Sequence, residues 1–91
     1  MTVFSENSNL FNIYLKKGDI YSVKGDYKKA TEVYDKAIPL FEKAGYTSGL
    51  GDVCSRRGNI YLLTGDNVNA HTMFDKAILF FKKAKKLLNQ G

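Results

Sequence analysis

The sequence predicts an all-α fold of two helical hairpins, four antiparallel helices in all. Three observations predict it. The chain repeats itself at a fixed offset of 40 residues. Each repeat is broken once, by a Gly-Asp pair, and the segments on either side carry apolar residues at helical spacing. Its composition, 44% hydrophobic and 25% charged, is that of an ordinary globular chain and not of a disordered one.

The repeat is read first, because a period of 20–50 residues fixes architecture before any local propensity does. Lys17-Gly18-Asp19-Ile20-Tyr21 returns as Arg57-Gly58-Asn59-Ile60-Tyr61, and Lys24-Gly25-Asp26-Tyr27 as Thr64-Gly65-Asp66-Asn67. Ala30, Tyr34, Asp35-Lys36-Ala37-Ile38 and Phe41 return as Ala70, Phe74, Asp75-Lys76-Ala77-Ile78 and Phe81, and Lys43-Ala44 as Lys83-Ala84. No gap interrupts the series.

The helices are expected near residues 8–24, 27–44, 48–64 and 67–89. The first ends at Gly25 and the third at Gly65, since glycine just past a helix takes the left-handed conformation that stops it. Asp26 and Asp66 then accept bonds from the free N–H groups that open the second and fourth helices. In the second helix Ala30, Tyr34, Ala37, Ile38 and Phe41 form an amphipathic stripe. Pro39 removes one backbone bond inside that helix and is expected to kink it. Gly45 ends it, and Thr47 or Ser48 is expected to cap the third helix. Within each hairpin Gly18 is expected to face Ala30, and Gly58 to face Ala70. Tyr21, Tyr34, Tyr61 and Phe74 would fill the adjoining space, the small-and-large alternation that fixes a hairpin's register.

These residues resemble the tetratricopeptide repeat. Gly18, Tyr21, Gly25, Tyr27, Ala30, Tyr34 and Ala37 match its pattern, as do Gly58, Tyr61, Gly65, Ala70, Phe74 and Ala77. The resemblance covers about residues 10–88, with repeat one at about 10–46 and repeat two at about 50–88 of a single domain over 1–91. The offset of 40 exceeds the usual 34 and resembles a variant with a longer second helix and a small-residue lead, Ala44 to Gly51, into the next repeat. Lys17 and Arg57 stand where the family often has leucine, and Cys54 where it often has a large aromatic. The resemblance implies two hairpins stacked as a short right-handed α-solenoid. It also implies a concave groove lined by the first helices, here Asn12, Leu15, Lys16, Asp19, Ser22, Asp52, Ser55, Arg56, Asn59 and Leu62. That mixed polar surface suits an extended peptide. The family's clamp for C-terminal carboxylates is missing, because Leu15, Asp19 and Arg56 occupy the first three of its positions. A solvated groove without a ligand is the plain alternative.

Enzyme chemistry finds little footing. The single histidine, His71, has no second histidine or cysteine near it in sequence. The single cysteine, Cys54, forms no internal disulfide framework and no cysteine-based zinc site; at a core-facing position it behaves as a small hydrophobe. Gly45 to Gly51 lacks the spacing and lysine of a phosphate-binding loop. No cofactor and no metal are expected. No apolar run approaches the length of a membrane span, and Met1 to Glu6 lacks the pattern of a secretion signal. A soluble protein of a reducing compartment, the cytoplasm, is the expectation.

The net charge of +5 is uneven. Nine basic and nine acidic residues cancel up to Asp75, so the excess is Lys76, Lys82, Lys83, Lys85 and Lys86. Lysines late in a helix complement its dipole. The other reading of Lys82, Lys83, Lys85 and Lys86 is a site for nucleic acid or another anionic surface, which salt would weaken steeply.

Apolar residues fill about half the circumference of the last helix, where one covered side needs roughly 100°. The excess, Met73, Phe80 and Leu87, recurs every seven residues. It is expected to be covered by another copy of the chain, a dimer first, or by further repeats. Burying three such side chains contributes about 4–8 kcal/mol before the costs of association. The function expected is a non-catalytic scaffold for protein or peptide partners; a regulatory segment of a larger signalling protein is a further alternative.

Overall fold

A computed structural model describes the backbone of residues 3–90 and the side chains of residues 9–88. It is all-helical over that range: α1 (Val3–Val23), α2 (Tyr27–Ala44), α3 (Thr47–Leu63) and α4 (Asn67–Gln90). The chain divides into two compact units, Met1–Gly45 and Tyr46–Gly91, each one hairpin. α1 packs on α2 and α3 on α4.

Each hairpin turns on the same chemistry. Gly25 and Gly65 have φ of 84° and 83°, the left-handed region that glycine enters without a steric penalty. The N–H of Gly25 donates to the Ser22 carbonyl at 3.0 Å and that of Asp26 to the Tyr21 carbonyl at 2.9 Å. Gly65 donates to Leu62 at 3.2 Å and Asp66 to Tyr61 at 2.8 Å. These paired bonds satisfy the last carbonyls of a helix. The same aspartates open the next one. Asp26 Oδ1 accepts from the Lys29 N–H at 3.3 Å, and Asp66 Oδ1 from the Asn69 N–H at 3.2 Å. One residue therefore closes one helix and starts another, and the link needs only three residues. Asp26→Ala and Asp66→Ala each remove a cap worth about 1 kcal/mol. Each is expected to lower Tm by about 4–8 °C in thermal unfolding followed by circular dichroism; an unchanged Tm would show that the caps contribute nothing.

The end of α2 follows expectation and the start of α3 does not. Gly45 has φ of 68° and its N–H donates to Glu42 at 3.1 Å. α3 then begins at Thr47 with Tyr46 at its N-cap, and no side chain caps it. Neither Thr47 nor Ser48 has that role, because the short Gly45-Tyr46 link puts both inside the helix. α2 runs unbroken past Pro39 to Ala44.

The core of the first unit is a ladder of Phe11, Leu15 and Gly18 from α1 against Ala30, Tyr34, Ala37 and Phe41 from α2, all buried. The Phe11 and Phe41 rings lie 4.2 Å apart between centroids, tilted by 51°. In the second unit the buried positions are Gly49, Gly51, Val53, Gly58 and Ile60 of α3 and Ala70 and Ala77 of α4. The closest neighbours of the two hairpin glycines are aromatic rings of the facing helix. The side chain nearest Gly18 is the Tyr34 ring, and that nearest Gly58 is the Phe74 ring. Gly51 abuts Phe81 in the same way. Glycine on one helix thus makes room for a ring from the other, while the buried alanines permit close approach.

Candidate binding surfaces

The residues expected to meet a ligand lie on α1 and α3, each described within its own unit. On α1, Asn12 and Lys16 are exposed and Asp19 and Ser22 half-buried. On α3, Asp52, Ser55 and Arg56 are half-buried and Asn59 and Leu62 exposed. Leu15 is the exception at 6% exposure. It is a core residue and presents no surface to a ligand, because it follows Phe11 by four positions on the buried face of α1. Asp19 is already engaged: the Tyr34 hydroxyl donates to its carboxylate. That bond ties α1 to α2 and holds the Tyr34 ring over Gly18, so Asp19 positions the hairpin besides lining its surface. Arg56 and Arg57 are likewise held by contacts within the chain.

On α4, Met73 and Phe80 are half-buried and Leu87 is 50% exposed. A second row is at least as bare. Ile78, Phe81 and Leu88 are 50%, 41% and 81% exposed. The residue numbers contain this row, since the spacings of three and seven keep it on one side of a helix. Its exposure depends on where α3 packs. Lys76, Lys82, Lys83, Lys85 and Lys86 are all exposed.

The chemistry of the remaining candidates is muted. Cys54 is half-buried, and desolvation pushes its thiol above the usual range while Lys76 and Arg57 pull weakly back. A raised thiol carries little thiolate at neutral pH and is a poor nucleophile. His71 is exposed and borders an open depression of about 370 Å³ with Leu62, Asn67, Ala70 and Phe74. Among the described residues no three His, Cys, Asp or Glu side chains are placed to hold a metal ion. No described helix is long and apolar enough to cross a membrane.

The hairpin geometry agrees with comparison to known proteins. Residues 11–44 match the family model of the tetratricopeptide repeat. No curated protein and no solved structure matches the chain. The matched segment holds the Gly18–Tyr34 contact, the Gly25-Asp26 turn and the Ala30, Ala37 and Phe41 core, and on that ground residues 11–44 are assigned as a tetratricopeptide repeat.

Proposed function

We propose that this chain is a non-catalytic scaffold that binds a peptide or protein segment through the first helices of its repeats and associates with itself through α4. The family match carries the reading, because repeats of this kind serve protein–protein interaction. The surface chemistry supports it. Asn12 and Lys16 on α1, and Ser55, Arg56 and Asn59 on α3, offer amide, hydroxyl and cationic groups at partial or full exposure. Those groups suit the carbonyls and carboxylates of an extended peptide. The exposed Leu62 adds an apolar contact at the end of α3. Self-association would use Met73, Phe80 and Leu87, of which Leu87 offers the most free surface.

Peptides selected from a random display library against the folded chain test the first part. A bound peptide should move the backbone amide resonances of α1 and α3. Arg56→Ala and Asn59→Ala should each weaken it about 5–10-fold, equivalent to about 1–1.4 kcal/mol, with the circular dichroism spectrum unchanged. A selected peptide that moves only α4, or that ignores both substitutions, would overturn the assignment. Sedimentation equilibrium tests the second part: assembly should depend on concentration and be lost in Phe80→Ser and Leu87→Ser. A monomer at every concentration up to about 100 μM, well above micromolar affinities, would remove self-association.

A further inference from the structure

The two repeats place the same apolar residues in opposite circumstances. Ile38 and Phe41 of α2 have Ile78 and Phe81 of α4 as their counterparts 40 residues on. Ile38 is half-buried and Phe41 only 1% exposed, whereas Ile78 and Phe81 are 50% and 41% exposed. Leu88, at 81%, extends the bare row by two further turns. Part of the difference is local. Phe41 has the Phe11 ring against it, but the counterpart of Phe11 is Gly51, which supplies no side chain to cover Phe81.

The charge beside the row changes as well. Glu42 and Gly45 of the first repeat correspond to Lys82 and Lys85 of the second, and both lysines are exposed. Lys85 falls within the row, four residues after Phe81 and three before Leu88, and Lys82 is one turn beyond Ile78. So the position where the covered version carries a carboxylate or nothing is cationic in the bare version. We infer that the Ile78–Phe81–Leu88 row, with Lys82 and Lys85, is a docking site for an acidic amphipathic helix of a partner protein.

Charge decides among occupants. A second copy would bring its own exposed apolar residues on α1, Ile13 and Ile20, at 55% each. Exposed Lys16, Lys17 and Lys24 flank them, so lysine would meet lysine. An apolar stripe edged with glutamates or aspartates satisfies both parts of the surface, the arrangement by which amphipathic helices seat on apolar faces. A flat anionic membrane fits less well. The row starts on the face of the buried Ala70 and Ala77, with Leu88 and Phe81 within roughly 40° of them, and turns outward to Ile78 at roughly 80–100°, beside α3. The outward side carries Asp75, Lys83 and Lys86 around Leu79, more polar than the apolar face a membrane-lying helix needs. Its residues are distinct from those assigned to peptide binding on α1 and α3 and from Met73, Phe80 and Leu87.

The probe is a synthetic peptide of about 20 residues repeating Glu-Ala-Leu-Glu-Ala-Leu-Ala, long enough to hold a helix when bound. Titrated into the 91-residue chain, it should bind at micromolar concentration and shift the amides of residues 78–88. Raising salt from about 50 to 500 mM should weaken it at least about fivefold. Lys85→Glu and Leu88→Gln should each cost about tenfold or more. Lys83→Glu, with the same charge change on the outward side, should cost about twofold or less. Library peptides bound through α1 and α3 should be untouched by Lys85→Glu, so the two proposals fail separately. Three results would each overturn the inference: no binding up to about 1 mM, equal losses for Lys83→Glu and Lys85→Glu, or equal binding of a shuffled peptide without a stripe. Lys85-dependent binding to phosphatidylserine vesicles but not to the peptide would also overturn it and assign the face to a membrane.

Discussion

Replacing Phe41 by alanine is expected to bring the first hairpin to the edge of unfolding at room temperature, while the same change at Phe81 leaves the second hairpin well folded. Phe41 is 1% exposed and stacks on Phe11 at 4.2 Å. Its removal loses the transfer energy of a phenyl ring, leaves a cavity and deletes an aromatic pair, about 3–5 kcal/mol altogether. A domain of this size has only about 5 kcal/mol to lose. Phe81 is 41% exposed and abuts Gly51 instead of a second ring. About half the loss is expected there, since much of the ring already meets water. Amide hydrogen exchange separates the two outcomes. Phe41→Ala should speed exchange through α1 and α2, and Phe81→Ala only mildly through α3 and α4. Equal protection losses in the two variants would show that ring burial does not set the stability difference.

Much of this was legible in the residues, and what was legible is local chemistry. Gly25-Asp26 and Gly65-Asp66 stop one helix and start the next by bonds within six residues, Tyr21 to Asp26 and Tyr61 to Asp66. Such signals survive in any tertiary setting. The α2 stripe behaves alike, because Ala30, Tyr34, Ala37 and Phe41 differ from their neighbours in polarity and recur at helical spacing. The misreadings concern which face meets what. Leu15 reads as a groove residue by position and is buried in fact, since α1 has two apolar sides and spacing alone does not say which one is covered. Gly18 reads as the partner of Ala30, and the spacing alone does not reveal that the Tyr34 ring lies closest to it; a ring reaches farther than the alignment of Cα positions suggests. On α4 the sevenfold row of Met73, Phe80 and Leu87 is plain in the numbering, but the barer row of Ile78, Phe81 and Leu88 emerges only once α3 is in place.

The binding surfaces were less legible than the fold for a related reason. A core position must be apolar and the right size, so sequence marks it. A surface position is constrained by its ligand, and no ligand is encoded in the chain that binds it. Asp19 illustrates this. Its carboxylate sits where a ligand-contacting group is expected, yet it also accepts the Tyr34 hydroxyl. One side chain carries two obligations, and only coordinates reveal the second.

That bond also makes the two related glycines unequal, which gives the second large effect. A Cβ added at Gly18 would overlap the Tyr34 ring, and one at Gly58 would lie 2.8 Å from Phe74 Cε1. In both helices alanine gains about 1 kcal/mol of intrinsic propensity over glycine. Against this stands overpacking, which costs about 1–3 kcal/mol when neighbours cannot move. Tyr34 is 2% exposed and tethered through its hydroxyl to Asp19, so its ring has nowhere to go. Phe74 is half-buried and has no hydroxyl to hold it. Gly18→Ala is therefore expected to lose about 2 kcal/mol net, and Gly18→Leu to prevent the first hairpin from forming. Gly58→Ala is expected to fall within about 0.5 kcal/mol of the parent. Chemical denaturation of the single variants measures each loss. Tyr34→Leu alone creates a small cavity, but combined with Gly18→Ala it should recover at least about 1 kcal/mol relative to additivity, because the two sites share one volume. Strict additivity, or a Gly58→Ala as damaging as Gly18→Ala, would show that the tethered ring is not what requires glycine at position 18.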